Sequence, residues 1–391
     1  MVLHKSITWE DNIAMRSNLR ILNVYGMIGR SGPQTVLAMV SMTVITVQMF
    51  LQITAIFDAL FAITALSVLI KAAIVLCFEA EYRTFYVQVQ QMTDDINREK
   101  IDAFTAHLER SKRSGLLYSK LMNICCIIGA LVFCSFCFLF PNEDGSRRMI
   151  YDTWAPFDQQ ISPNFELSCA FQVYVTGVCL FFHLATNNLS IQTLMFCGAL
   201  FSILIERLSM VFEDVEKLFK LRQSSTADEA EMIQLAEDID VKMGNLIAEH
   251  ISAMHFLNLA APNLSYILGT DFVCYTLVIC TQMFTFSLME EVGQQITILF
   301  IAGLSCASAF LWNYHAELVR TKSEDFCRQL YAVRWELANR KVRKAIQFMI
   351  ARAQQPIQLN LLHILPIGMG RIVQMMNTSY TYFTLLRTLY D

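Results

Sequence analysis

Long runs of apolar residues alternate with polar, charged segments along this chain of 391 residues. A membrane-spanning helix needs about 20 mostly apolar residues to cross a hydrocarbon core of about 30 Å. Six runs meet this criterion: Thr35–Phe57, Ala59–Phe78, Leu121–Phe140, Leu167–Ala185, Tyr266–Leu288 and Ile296–Trp312. A seventh run, Ile367–Leu389, is more polar. The pattern predicts an all-α polytopic membrane protein with seven transmembrane helices.

The distribution of Lys and Arg predicts the orientation of these spans. The amino-terminal segment carries four Lys or Arg residues. The links between spans two and three, four and five, and six and seven carry seven, five and nine. The segments on the opposite side carry only Arg147 and Arg148. Cytoplasmic loops carry the excess of basic residues. The residues before Ser31 are mixed and polar, which predicts no cleavable signal peptide. We therefore expect a cytoplasmic amino terminus and an extracellular carboxyl terminus.

The long cytoplasmic links are predicted to be helical, because their apolar residues recur every three to four positions. This spacing follows the fourth span at Leu204, Leu208 and Val211, and it precedes the seventh at Phe326 and Leu330. The sequence predicts a single domain over 1–391. It divides into a cytoplasmic amino-terminal segment at 1–34, spans one to six with their loops at 35–317, cytoplasmic helices at 318–366 and the seventh helix at 367–391.

Composition narrows the class of protein. With 55% hydrophobic and 16% charged residues and a mean hydropathy of +0.42, the chain is too apolar for a water-soluble domain. A net charge of −4 leaves no basic excess for nucleic acid, so we expect no nucleic-acid partner. Nucleotide-binding, hydrolase and zinc-protease motifs are missing from the sequence, and Cys134-x-x-Cys137 lies in an apolar run. We therefore expect no catalytic residues, no bound metal, no cofactor and no enzyme activity.

The seventh span carries a polar stripe. Its members share one helical face, because they recur every three to four residues: Gln374, Thr378, Thr381, Leu385 and Thr388. Lipid cannot satisfy such a stripe, so it faces protein or water. It could line a pore in which Leu385 is an apolar collar that blocks ions by dewetting, or it could face a polar bundle interior. A pore would require several subunits around an axis, since one chain offers one such helix.

The outer halves of the third and fourth spans are rich in aromatic residues. Such side chains, mixed with a few small polar groups, could form a dry pocket for a small volatile apolar ligand. The alternative is ordinary helix packing or contact with membrane lipid. The candidate pocket residues are Phe133, Ser135, Phe136, Phe171, Tyr174 and Val178.

The last sixty residues resemble the carboxyl-terminal pattern of insect odorant receptors. The similarity lies in Tyr331-Ala-Val-Arg-Trp335, in the segment Arg343–Pro356, and in Ser379-Tyr-Thr-Tyr-Phe-Thr-Leu-Leu-Arg387. It extends to Trp154-Ala-Pro-Phe-Asp158 in the second extracellular loop. The first four spans are similar to that family only in hydropathy.

This resemblance implies an odorant-gated, non-selective cation channel in the plasma membrane of olfactory neuron dendrites. In that family a tuning subunit assembles with a shared co-receptor into a heterotetramer, and the cytoplasmic helices at 318–366 form the anchor between subunits. The seventh helices at 367–391 line the pore. The family's apolar gate position falls on Leu385, and the following polar pore position is Thr388. The link between spans four and five is shorter than in the co-receptor, which favours a tuning subunit.

Two other classes remain open from the residues themselves. A seven-span chemoreceptor, gustatory-like or G-protein-coupled, could signal through a cytoplasmic partner that docks on the amphipathic segments. The inverted topology and the absence of an acidic-Arg-Tyr triplet and an Asn-Pro-x-x-Tyr motif disfavour G-protein coupling. A secondary transporter would show repeated broken spans, but Pro262 and Pro366 do not form repeats.

Overall fold

The fold is taken from a computed structural model of the chain. The structure describes residues 56–139, 157–224, 228–289, 292–355 and 357–390, together with residues 147, 149 and 150 and scattered helical positions between 36 and 47. Within the helices, side chains at 56–61, 133, 136–139, 292–294, 297 and 390 are also outside the description. Most of the first predicted span, and most of the second extracellular loop with Trp154, therefore lie outside the described residues.

Nearly all described residues are helical, which confirms the predicted all-α class. The helices are α1 (Ile56–Cys77), α2 (Glu79–Arg98), α3 (Asp102–Leu139), α4 (Asn164–Gln223), α5 (Glu229–Leu288), α6 (Val292–Ala332), a 3-10 turn (Trp335–Leu337), α7 (Arg340–Ala353) and α8 (Met369–Tyr390). A two-stranded antiparallel hairpin, β1 (Asn360–Leu361) and β2 (Leu365–Pro366), joins α7 to α8.

Several of these helices are long and apolar enough to span a membrane. Among the described residues, α3, α4, α5 and α6 satisfy this criterion individually. The bent pair α1–α2 adds a fifth candidate, with an angle of 73° between its two helices. Spans two to six of the sequence analysis thus correspond to α1, α3, α4, α5 and α6. The seventh, α8, has 22 residues, which is long enough to span, but its polar residues lower its hydropathy.

The core is built around α4 and α5, which are each 60 residues long. Each runs without a break from the apolar segment into the segment predicted to be cytoplasmic, so the predicted spans are only one part of a much longer helix. The rings of Phe196 on α4 and Phe256 on α5 meet edge to face at 5.3 Å, and Phe256 also stacks on Phe85 of α2 at 4.8 Å. Leu204, Leu208 and Val211 of the stripe that the sequence predicts after the fourth span are buried in the same core.

A buried arginine ties four helices together in the part of the bundle predicted to be cytoplasmic. Arg207 on α4 places Nη2 2.5 Å from Glu99 Oε2 and 2.5 Å from Glu249 Oε1, and its guanidinium lies over the Phe104 ring at 4.6 Å. Burial raises the pKa of Glu249 to about 7, although Arg207 opposes the shift. Burial likewise lowers the pKa of His250, the next residue, to about 4. The bundle therefore holds a carboxyl group that titrates near neutral pH.

The β1–β2 hairpin fixes the segment between α7 and α8 onto α5. At its tip, Leu362 and His363 adopt positive φ angles of 48° and 60°, and their backbone N–H groups donate to the carbonyl and the hydroxyl of Ser265 at 3.1 and 2.8 Å. Gly269 makes this approach possible, because a Cβ there would lie 2.6 Å from Leu362 Cγ. The hairpin thus fixes the position at which α8 begins.

Candidate functional site

A buried ion pair joins α1 to α5 at membrane depth. Lys71 Nζ contacts Asp271 Oδ1, and the two side chains are 0% and 1% exposed. Charges inside transmembrane segments are costly and usually mark functional positions. The other oxygen, Asp271 Oδ2, has no hydrogen-bond partner among the described residues. The ion pair therefore leaves one carboxylate oxygen of Asp271 without a hydrogen bond among the described residues.

Side chains of α4 complete a polar cluster around this pair. Lys71 Nζ donates to Asn187 Oδ1 at 2.8 Å and lies 3.4 Å from His183 Nδ1. If Nδ1 accepts from the lysine, Nε2 carries the proton and donates to Tyr275 Oη at 3.2 Å. Asn187 Nδ2 donates to the same hydroxyl at 3.0 Å. Lys71, His183, Asn187, Asp271 and Tyr275, here called the central cluster, thus connect three helices.

The sequence analysis did not identify this cluster. Hydropathy and spacing predicted no role for Lys71 or Asp271. A signal was available, because two opposite charges interrupt otherwise apolar spans. The partner could not be chosen from the sequence, since span prediction does not say which helices are neighbours.

The candidate pocket residues are distributed over different environments. The side chains of Phe133 and Phe136 lie outside the description, and Ser135 is exposed, with its hydroxyl donating to Val132 O at 2.9 Å. On α4, Phe171 and Tyr174 are 43% and 45% exposed, whereas Val178 is buried at 3%.

The described part of the chain therefore does not bring the candidate pocket residues together as one lining. Among the described side chains of this set, only Val178 is buried in the bundle core. The assignment of a pocket to this set stays a prediction.

The polar stripe of α8 faces away from the rest of the chain. Inward contact is made by Met375 and Ser379, which are buried, and Ser379 Oγ donates to the Thr276 carbonyl of α5 at 2.9 Å. Successive helical residues are about 100° apart around the axis, so the centre of the stripe lies more than a quarter turn around α8 from Met375 and Ser379. Its members Gln374, Thr381, Leu385 and Thr388 are exposed in the single chain, and Thr378 is half-buried.

The stripe presents oxygen atoms without charge. Thr381 Oγ1 donates to Asn377 O at 2.9 Å, and Thr388 Oγ1 donates to Thr384 O at 2.7 Å. These bonds occupy the hydroxyl hydrogens, so each oxygen turns lone pairs outward. Leu385, 54% exposed, is the apolar residue between the two threonines. Such a face could contact water and cations but would bind neither tightly.

A groove lies between the end of α6 and α7, in the segment predicted to be cytoplasmic. It has a volume of 320 Å³ and is lined by Tyr331, Trp335, Arg343, Ile346, Gln347, Ile350, Ala351 and Gln354. Asn339 caps α7 by accepting from the Val342 N–H at 2.9 Å, and its amide donates to Asp240 of α5. The Asn339 amide also lowers the pKa of Asp240, with help from Lys341. The groove is thus formed by well-anchored elements.

No group of three or more His, Cys, Asp or Glu side chains among the described residues is arranged to hold a metal ion. The central cluster contains a lysine where a metal site would need another ligand. What the arrangement offers instead is a buried ion pair, a polar helix face and an open cytoplasmic groove.

Comparison with known proteins identifies the family. The family model for 7tm odorant receptors matches residues 52–380. Odorant receptor 10 of Aedes albopictus is 23% identical over 387 residues, covering 96% of this chain and 97% of the relative. Odorant receptor Or2 of Anopheles gambiae is also 23% identical, over 338 residues, covering 86% of this chain and 85% of the relative.

Solved structures show the same fold. Olfactory receptor OR5 from Machilis hrabei superimposes with a TM-score of 0.69 at 15% identity, covering 95% of this chain and 97% of that one. Its complex with eugenol gives a TM-score of 0.68 at 14% identity, covering 96% and 97%. The family consists of receptors and channels rather than enzymes, as the sequence analysis expected. The resemblance in the last sixty residues is thus confirmed over most of the length, and the chain belongs to the insect odorant receptor family.

Proposed function

We propose that this chain is the odorant-binding tuning subunit of a heteromeric, odorant-gated, non-selective cation channel. In this proposal it works with the shared co-receptor as a heterotetramer in the plasma membrane of olfactory neuron dendrites. The observation that carries the proposal is the exposed polar stripe of α8. A stripe of this kind is unfavourable against lipid, so it needs water or other subunits to face.

The chemistry of the stripe supports a pore with weak ion preference. Thr381 and Thr388 offer neutral oxygens, and the stripe holds no acidic ring that would select strongly for one cation. Leu385 lies between them and would narrow the closed pore with apolar side chains from several subunits. Opening would then require α8 to withdraw or rotate Leu385 from the axis.

The cytoplasmic groove supports assembly with other subunits. Trp335 and Tyr331 are about half exposed beside it, and Phe348 on α7 is exposed too. Aromatic residues that remain exposed around a groove are typical of protein interfaces. We assign this surface to the contact with the co-receptor.

Ligand binding is supported by relatives rather than by a cavity in the described residues. The related Machilis receptor was solved in complex with eugenol, a small volatile aromatic compound. We expect this chain likewise to bind a small volatile ligand in the outer half of the bundle. A ligand opens the channel only to the extent that it binds the open arrangement more tightly than the closed one.

Whole-cell recording tests the proposal. Cells would express this chain alone, the co-receptor alone, or both, and would be exposed to a broad panel of volatiles. We expect odorant-evoked cation current that requires both chains and differs in ligand preference from the co-receptor alone. A response that depends on a G protein and carries no direct current would contradict the proposal and favour a chemoreceptor with a cytoplasmic partner.

A further inference from the structure

A hydrogen bond from a side chain to the backbone ties the middle of α8 to α5. Ser379 is fully buried, and its Oγ donates to the Thr276 carbonyl at 2.9 Å. A serine or threonine in a helix commonly donates to its own helix instead. Thr381, Thr384 and Thr388 of α8 do so. The Ser379 hydroxyl therefore links two helices, whereas these threonine hydroxyls bond within α8.

Ser379 also marks the point at which α8 leaves the core. Met375 and Ser379 are buried, whereas none of the described residues from 380 to 389 is buried. Tyr380, the next residue, is already 58% exposed. The part of α8 up to Ser379 is thus packed on the bundle, and the part beyond it is mostly exposed in the single chain.

The beginning of α8 is held as well. Gly368 N–H donates to Asn313 Oδ1 of α6 at 3.3 Å, and the hairpin before it is bonded to α5. From Met369 to Ser379 the helix rises over ten residues, or roughly 15 Å. Because both ends of this inner part of α8 are attached to the bundle, it moves together with α5 and α6.

The candidate gate lies in the outer part of α8. Leu385 follows Ser379 by six residues, which is roughly 9 Å along the helix. A tilt of the outer part by about 10° around Ser379 would move Leu385 by about 1.6 Å. The position and direction of α8 at Ser379 therefore determine where Leu385 lies.

On the α5 side, the hydrogen bond ends beside the central cluster. Thr276 directly follows Tyr275, whose hydroxyl lies 3.2 Å from His183 Nε2 and 3.0 Å from Asn187 Nδ2 of α4. The ion pair of the central cluster ties α1 to the same stretch of α5. A rearrangement of α1 or α4 against α5 is thus felt at the Thr276 carbonyl, to which α8 is attached.

We propose that Ser379 couples odorant binding to the gate. Its hydrogen bond makes α8 follow α5, so a rearrangement of the bundle around a volatile ligand displaces Leu385. Ser379 is a positioning residue, because it acts through the backbone of α5 and the placement of α8. Hydrogen bonds between membrane helices are worth a factor of about three to twenty in an equilibrium, which is enough to bias a gate without fixing it in one state. The inference rests on the proposed function, because it requires a channel that odorants open.

Separate measurements of current and of binding test the proposal in the channel formed with the co-receptor. The probe is the most potent volatile in a panel that begins with eugenol. The first readout is the ratio of the maximal odorant-evoked current to the basal current. The second is the rise in unfolding temperature that the same volatile gives the purified complex, because a ligand stabilises the state that binds it.

In Ser379→Ala, we expect the current ratio to fall about threefold or more, because the bundle then moves without carrying α8 with it. The odorant-dependent rise in unfolding temperature should remain as in the wild type. A residue that acts only on folding or on surface expression would not separate these two readouts.

Two matched variants distinguish the hydrogen bond from packing. Ser379→Cys keeps the size of the side chain but has a thiol, which is a weak donor, so the current ratio should fall here too. Thr276→Val removes the Thr276 hydroxyl, which donates to Phe272 O at 2.7 Å, and keeps the backbone carbonyl that accepts from Ser379. The current ratio should stay at the wild-type value in Thr276→Val. Surface labelling of a tagged chain measures how much of each variant reaches the membrane.

Several results would overturn the inference. An unchanged current ratio in Ser379→Ala would show that the bond does not couple α5 to the gate. A Ser379→Cys variant that behaves as wild type would show that the volume of the side chain matters rather than its hydrogen bond. A loss of odorant-dependent stabilisation equal to the loss of current would place the effect at the ligand site. If no volatile evokes current with the co-receptor in the wild type, the proposed function itself fails, which distinguishes the two failures.

Discussion

Removing one member of the Lys71–Asp271 pair should destabilise the receptor more than removing both. Breaking a buried ion pair from one side costs about 3–5 kcal/mol, because the remaining charge is left unpaired in a medium of low polarity. Lys71→Met should lie at the upper end, since Asp271 Oδ2 already lacks a hydrogen bond and the whole carboxylate would become unpaired. Asp271→Leu should lie at the lower end, because Asn187 still accepts from Lys71 at 2.8 Å.

The double variant Lys71→Met/Asp271→Leu removes both charges. Its remaining loss is mainly the hydrogen bond to Asn187, worth about 1 kcal/mol. The coupling free energy between the two positions should therefore exceed about 3 kcal/mol. A coupling free energy of this size would be a large part of the 5–15 kcal/mol by which domains are typically stable.

Thermal unfolding of the detergent-purified channel, followed by fluorescence-detected size exclusion, measures the effect. Each kcal/mol shifts the midpoint by roughly 2–4 °C, so Lys71→Met should lower it by roughly 10 °C or more, and the double variant by far less. Lys217→Met is the matched control, because Lys217 lies 3.6 Å from Glu231 with both side chains more than half exposed, and its loss should cost less than about 1 kcal/mol. If the losses of the two single variants simply add in the double variant, the reasoning is refuted.

Three further predictions concern the pore, the groove and the cytoplasmic bundle. Leu385→Ala should raise the basal current several-fold by widening the apolar collar, whereas Leu386→Ala, one residue away on a different face, should not; equal basal currents in both would argue against the collar. Trp335→Ala should reduce recovery of the complex with the co-receptor at least tenfold in a co-purification assay, and undiminished recovery would exclude the groove as the contact. Because the pKa of Glu249 is raised to about 7, its protonation should stabilise the bundle by about 0.8 kcal/mol as pH falls from 8.5 to 6.5. This gain in stability, measured as a rise in unfolding temperature, should disappear in Glu249→Gln. As pH falls further below 6.5, we expect stability to decrease again, because the pKa of His250 is lowered to about 4 in the folded bundle.

The apolar runs predicted the helices well because a membrane leaves the backbone few alternatives. The amphipathic spacing after Leu204 correctly predicted helix, but it did not reveal that α4 continues unbroken for 60 residues. Hydropathy reports the membrane boundary, whereas helix continuity depends on the absence of a strong breaker between 185 and 204. The β1–β2 hairpin was missed because strands of two residues leave no periodicity to detect.

The site was less predictable than the fold. The polar stripe of α8 could be recognised because its members share one helix and their spacing alone fixes the face. The central cluster depends on which helices are neighbours and in what register, and this is set by packing between distant segments. Phe171 and Tyr174 illustrate the limit, since aromatic content does not tell which side of α4 faces the core.

The continuity of α4 has a mechanical consequence. The helix is tied to its neighbours at His183 and Asn187, with 19 residues towards the extracellular end and 36 towards the cytoplasmic end. At 1.5 Å per residue these arms are roughly 29 and 54 Å long. If α4 tilts as a rigid rod about this fulcrum, a shift of about 1 Å at the outer end becomes about 2 Å at the inner end, and Arg207, roughly 30 Å from Asn187, carries its partners Glu99 and Glu249 with it. Distance probes on the cytoplasmic arm should therefore report odorant-induced motion more sensitively than probes beside the ligand.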